Sequence, residues 1–224
     1  MTIDLVIFDC DGVLIDSEMI SARMLVTELG KLGLAIDLDY VSRHFLGRSY
    51  PVVMDTIRRE FGLNLPPEFE ASYRENLLAA FGRELRVMPG VAGVMRGLAV
   101  PFCVATSSSP RRAAFSLNHV GLQDLVGERL FTASQVSRGK PAPDLFLFAA
   151  RQMNTPPDRC LVIEDSLTGV RAGLAAGMRV WRFTGGSHMA GQAEPEPDDA
   201  RPHARFASFA QFATLAPDLM RQPQ

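Results

Sequence analysis

Two carboxylates one residue apart, in Asp9-Cys10-Asp11-Gly12-Val13, follow directly on the apolar run Leu5-Val6-Ile7-Phe8. In a pleated strand, residues i and i+2 face the same way. Asp9 and Asp11 are therefore expected to point together past the strand's carboxyl end, where open α/β sheets bind their ligands. Paired carboxylates repel, and a fold keeps them adjacent where a cation or a shared proton compensates. A solvated surface turn would give the same five residues, so the pair has to be read together with what lies downstream.

Three downstream groups supply what the pair lacks. Thr106 and Ser107 follow the apolar run ending at Ala105. A hydroxyl and backbone N–H groups at a strand-to-helix turn can hold phosphate oxygens, although such clusters also serve as ordinary helix caps. Lys140 sits in Gly139-Lys140-Pro141-Ala142-Pro143-Asp144, and it and Lys31 are the only lysines among 23 basic residues. In so arginine-rich a chain, a lysine in a rigid loop suggests a compact point charge that meets both a carboxylate and a phosphate. Glu164-Asp165-Ser166 closes a later apolar run. Asp9, the main-chain carbonyl of Asp11, Asp165 and Glu164 make an all-oxygen metal set suited to Mg2+, and their scattered origin argues against calcium.

The elements that must position these groups alternate. Phe102–Ala105, Leu161–Ile163 and Val180–Phe183 read as short buried strands that join Leu5–Phe8 in a parallel sheet. Helices are expected to start at Pro110, near Asp144 and after Ser166. Residues 17–85 differ, showing no strand pattern. Helices are expected from Ser17, which can cap the first, toward Gly33, then near 38–46, 50–62 and 67–82, with turns at Gly47–Pro51 and Gly62–Pro67. The expected fold is therefore α/β, a Rossmann-like doubly wound parallel sheet. Its core comprises residues 1–16 and 86–224, and residues 17–85 form an inserted α-helical cap domain that can close on substrate. Rich in Gly, Pro and acidic residues, Gly185–Arg205 is read as a surface loop, and about Phe206–Met220 as an amphipathic helix.

Bulk properties narrow the function. The 224 residues are 47% hydrophobic and 21% charged, with a formal net charge of −2. This is an ordinary globular composition with no global pull toward nucleic acid or an anionic membrane. No stretch reaches bilayer-spanning length and no basic leader precedes Asp4, so the expected location is the cytoplasm and the default state a monomer. Cys10, Cys103 and Cys160 lie in apolar runs and are expected to be buried thiols. Flanking aspartates would raise the Cys10 pKa and disfavour its thiolate.

Taken in order, Asp9-Cys10-Asp11-Gly12-Val13-Leu14 with Asp16-Ser17-Glu18, then Thr106-Ser107, Lys140-Pro141 and Glu164-Asp165, resemble the haloacid dehalogenase superfamily over essentially the whole chain. The helical insertion is similar to the cap of the subgroup containing beta-phosphoglucomutase and many small sugar-phosphate phosphatases. Gly173, Gly177 and Thr184-Gly185-Gly186-Ser187-His188 are similar to bacterial phosphatases of this group, including those acting on 6-phosphogluconate.

The resemblance implies a Mg2+-dependent phosphatase acting on a small phosphorylated metabolite. Asp9 would be the nucleophile, Asp11 the acid and then the base, Lys140 a charge screen, and Thr106 with the Ser107 N–H the phosphate holders. Dehalogenase and phosphonatase relatives lack the second aspartate, which Asp11 supplies. A mutase remains the alternative, although mutase relatives carry a histidine where this chain has Met19 and Ile20. A non-catalytic binding protein on the same fold is the second alternative. Arg48 in the Gly47-Arg48-Ser49 turn is the candidate for binding an anionic or polyhydroxylated part of the substrate. His188 either touches substrate or orders its loop.

Overall fold

Strand β1 (Leu5–Phe8) lies near the middle of a six-stranded sheet whose order is β3-β2-β1-β4-β5-β6, all neighbours parallel. The other strands are β2 (Phe102–Thr106), β3 (Leu130–Thr132), β4 (Cys160–Glu164), β5 (Arg179–Phe183) and β6 (Ala204–Phe206). The computed structural model describes residues 2–45, 48, 50–190 and 196–221, apart from the side chain of Ser42.

Alternation along the strands builds two apolar layers. Val6, Phe8, Val104, Leu161, Ile163 and Phe183 face one core, while Leu5, Ile7, Cys103, Ala105, Val162 and Val180 face the other. The second layer is closed by α8 (Asp144–Gln152) and α9 (Leu167–Ala175), whose Leu145, Phe146, Ala149 and Val170 are fully buried. Both faces of a parallel sheet must be covered, and continuous apolar strands are what that requires. The order reverses between β1 and β4, the crevice where such sheets bind ligands.

Four helices leave from the end of β1: α1 (Glu18–Lys31), α2 (Leu38–His44), α3 (Tyr50–Phe61) and α4 (Phe69–Glu84). No strand occurs among the described residues of this insertion. Its entry and return paths pair as a short antiparallel ribbon: Asp16 N–H donates to Arg86 O (2.9 Å), Met88 N–H donates to Leu14 O (2.8 Å), and Ile15 bridges to Val87. The chain then forms α5 (Val91–Gly97) and, beyond β2, α6 (Pro110–His119) and α7 (Gln123–Val126). Proline opens α6 and Ser109 caps it on the Arg112 N–H.

The carboxyl-terminal expectation is corrected. Phe206 ends strand β6 instead of starting a helix, and only Phe212–Leu215 is α-helical (α10), flanked by 3-10 turns at Phe209–Gln211 and Pro217–Leu219. The spacing of three between Phe206, Phe209 and Phe212 mimics a helical stripe. It serves instead an aromatic cluster with Phe183 and Trp181 at the sheet edge. Ser17 also departs from expectation. Its side chain makes no cap hydrogen bond to α1 and turns elsewhere. The expected turn at Gly47–Pro51 lies partly outside the described residues, which omit Leu46, Gly47 and Ser49.

Candidate active site

Asp9 leaves the end of β1 with its amide donating to Ile163 O (2.9 Å), which locks the start of the acidic loop to β4. The loop then turns at Gly12, whose φ of +77° is open to glycine at little cost. A Cβ at Gly12 would overlap the Asp165 carboxylate, so the glycine also lets the two acidic segments approach. Gly169 plays the same part for Glu164, whose carboxylate occupies the space a Cβ there would need.

Lys140 is the hub of the first cluster. Its Nζ donates to Asp9 Oδ1 (2.7 Å), Glu164 Oε1 (2.8 Å) and Ala105 O (3.1 Å), with the lysine side chain only 2% exposed. Glu164 Oε2 accepts from the Ser166 amide and hydroxyl. Among the described residues, Asp9, Glu164 and Asp165 are the buried acids that bring oxygens within 4.8 Å of one another. Burial pushes Asp9 well up; Lys140 opposes this, and Glu164, Asp165 and Asp11 add to the rise. Burial likewise raises Glu164 against the pull of Lys140. Burial would lower Lys140, but Asp9 and Glu164 overcome it and hold the ammonium protonated.

Lys140 meets two of these buried carboxylates, and Asp165 lies against His188. An all-oxygen donor set of this kind suits a hard divalent cation. The sequence-predicted metal set is thus brought together at Asp9, Glu164 and Asp165, while the Asp11 carboxylate lies outside that group.

Asp11 has a different shell. It accepts from Ser17 Oγ (2.6 Å), Ser108 Oγ (2.6 Å), Arg112 Nη2 (2.7 Å) and, more weakly, Thr106 Oγ1 (3.5 Å). Burial raises its pKa, but Arg112 and the serine hydroxyls outweigh that and hold it below the usual carboxylate range. Thr106 Oγ1 also accepts the Ser108 amide (3.0 Å), fixing the turn after β2.

Sequence reasoning missed Ser108 and Arg112 as parts of this site. A signal existed for Arg112: two arginines in the first turn of α6 oppose the helix dipole and call for a nearby anion. Arg112 also reaches Ser21 Oγ (3.2 Å) on α1 and lies over the Phe81 ring of α4 (5.1 Å). It therefore joins the acidic loop to the helical insertion.

Asp9, Asp11, Thr106, Ser108, Arg112, Lys140, Glu164 and Asp165 open onto one cavity of about 560 Å³ between the sheet edge and the insertion. Ser107 and Arg48 line it as well; Arg48 is exposed, and its amide donates to Phe45 O (3.2 Å). The wall formed by the insertion is largely apolar, from Leu25, Val41, Phe45, Val53 and Leu77, and is interrupted by Glu18 and Arg74. Glu18 is pushed up to about 8 by burial and by Asp11 and Asp165. The other lysine, Lys31, pairs with Glu28 (2.6 Å) and lies outside the cavity lining. All three cysteines are buried and free, and burial followed by Asp11 and Asp9 raises the Cys10 thiol well up.

The model of haloacid dehalogenase-like hydrolases matches residues 3–177. The chain belongs to that family. Within the haloacid dehalogenase-like hydrolases it is 31% identical over 187 residues to the 6-phosphogluconate phosphatase of Escherichia coli, spanning 83% of this chain and 85% of that one. A haloacid dehalogenase-like protein of unknown function from Agrobacterium tumefaciens superposes with a TM-score of 0.81 at 30% identity, covering 96% of this chain and 98% of the other. A family hydrolase from Deinococcus radiodurans, solved with bound phosphate and sodium, gives a TM-score of 0.74 at 34% identity over 99% of each chain. Family members generally use a divalent metal, in keeping with the buried acidic cluster. Among the described residues no helix is long and apolar enough to cross a membrane.

Proposed function

We propose that this hydrolase is a Mg2+-dependent phosphatase of small phosphorylated metabolites, of the sugar-phosphate or 6-phosphogluconate type, working through an aspartyl phosphate on Asp9. The observation that carries the reading is the different surroundings of Asp9 and Asp11 within a single cavity. Asp9 has the ammonium of Lys140 and two further acids, and Asp11 has hydroxyls and a guanidinium.

In the first step an Asp9 oxygen attacks phosphorus while the bond to the leaving oxygen breaks, and Asp11 gives that oxygen a proton. In the second step Asp11 takes a proton from the water that attacks the acyl phosphate, releasing inorganic phosphate and restoring Asp9. Lys140 screens the repulsion between the nucleophile and the phosphate dianion, while Thr106 and the Ser107 N–H hold its oxygens. Asp9, Glu164 and Asp165, with the Asp11 main-chain carbonyl, would hold Mg2+, which supplies further neutralisation of phosphate charge. Residues 17–85 act as a cap that shuts the cavity from water. Arg48 on its rim takes an anionic or hydroxylated part of the substrate. Buried unpaired thiols support a cytoplasmic setting.

Phosphate release from a panel of phosphorylated metabolites, with 6-phosphogluconate and hexose phosphates first, tests this. Release that needs Mg2+ and disappears in Asp9→Asn is expected. Turnover by Asp9→Asn at the wild-type rate would sink the nucleophile assignment.

A further inference from the structure

Residues Ser187–Met189 form a short 3-10 turn that carries His188 to the back of the acidic cluster. His188 Nε2 lies 2.9 Å from Asp165 Oδ2, with both side chains almost wholly enclosed. The ring sits between two glycines. A Cβ on Gly12 would lie 3.1 Å from its Cε1, and a Cβ on Gly186 would lie 2.7 Å from its Cε1 and Nδ1. Gly186 admits no side chain while the imidazole keeps this place, and at Gly12 the Asp165 carboxylate itself fills the space. The loop has its own anchor, since the amide and hydroxyl of Ser187 both donate to Asp16 Oδ1 (3.1 and 2.8 Å). Asp165 is also held from behind, where Arg182 Nε donates to its main-chain oxygen (2.8 Å). Ser187 thus ties the loop to Asp16, and the His188 imidazole meets the Asp165 carboxylate.

We propose that His188, clamped between Gly12 and Gly186, is a positioning residue that fixes the Asp165 carboxylate for cation binding. The inference rests on the divalent-cation reading of the acidic cluster given above. An N–H donor on one oxygen of a ligating carboxylate sets its rotation and leaves the other oxygen for the ion. Losing such a partner typically costs about 10- to 100-fold in metal affinity.

The test is a titration of the full chain with Mn2+ alone, followed by electron paramagnetic resonance without substrate. It compares wild type, Asp165→Asn, His188→Met and His188→Gln, with circular dichroism to verify folding. Methionine and glutamine fill similar space, and only glutamine retains an N–H. His188→Met is expected to weaken Mn2+ binding by about 10- to 100-fold, with His188→Gln recovering most of the loss. Wild-type affinity in His188→Met, or equal weakening in both variants, would overturn the proposal. If wild type itself bound no Mn2+, the cation reading would fall instead; if Asp165→Asn lost binding while His188→Met kept it, only the role of His188 would fall.

Discussion

Around Asp9, two buried carboxylates share one ammonium and a third, Asp165, lies against His188; around Asp11, one carboxylate is met by a guanidinium and the hydroxyls of Ser17 and Ser108. The two aspartates stand one residue apart in sequence, yet burial wins at the first and donors win at the second. The first region is short of positive charge, so it has room for a cation and a use for Lys140. The second is fully supplied with donors, so its carboxylate stays ionised until something displaces them. In the metal-free chain these directions are the reverse of what a nucleophile at Asp9 and an acid at Asp11 require, so the proposed roles need a cation to ionise Asp9 and a displacement of the Arg112 and serine contacts to let Asp11 take up a proton.

The contrast breaks first under Asp11→Asn. Turnover of alkyl phosphates should fall by about 10²- to 10⁴-fold, the usual worth of a positioned acid–base group. In the first half-reaction, read as kcat/KM, the loss should be much smaller for p-nitrophenyl phosphate, whose leaving group needs no proton. Equal losses in kcat/KM for both substrates would remove Asp11 from protonating the leaving group.

Lys140→Ala probes the other side. Removing the shared ammonium leaves Asp9 and Glu164 buried and unpaired, which should cost about 3–5 kcal/mol in urea unfolding at neutral pH. A change under about 1 kcal/mol would mean that the cluster tolerates its charge without this lysine.

The smallest expected effect is also the most specific. Because the native pKa of Asp9 is raised, the native state keeps that proton to higher pH than the unfolded chain does. Its stabilising contribution is present below the unfolded carboxylate value near 4 and is lost as pH rises through the native value. Metal-free Asp9→Asn should therefore melt above metal-free wild type at pH 7, by about 2–4 °C for each kcal/mol recovered. The gap should close near pH 4. A variant that melts below wild type at pH 7 would show that pairing with Lys140, and not burial, governs Asp9.

Much of this arrangement was legible in the sequence because strong local signals coincide with the sheet's carboxyl edge. The apolar runs ending at Phe8, Ala105 and Ile163 mark three central strands, and each is followed at once by the polar groups that face the cavity. The helices of the insertion were readable from their punctuation at Gly33, Gly62 and Pro67. Strand β3 escaped because three residues are too few to show a period, and β6 because its Phe206 falls in register with a false helical stripe. Ser17 was ambiguous for a physical reason: one hydroxyl can cap a helix or donate to Asp11, and only the fold decides which. Arg112 was hidden by abundance, being one guanidinium in an arginine-rich chain whose partner lies 101 residues away.

The paired ribbon at Leu14–Asp16 and Arg86–Met88 has a mechanical consequence. Two strands cross between the sheet and the insertion, bonded to each other on both sides of Ile15 and Val87. Such a joint would bend like a strap hinge and resist sliding, which favours a swing of the insertion over a translation. Ser17 is the first residue past the pin, and its hydroxyl is on Asp11. A swing of the insertion at this joint would therefore pull directly on Asp11, the proposed proton carrier, and couple opening of the cavity to the state of that carboxylate.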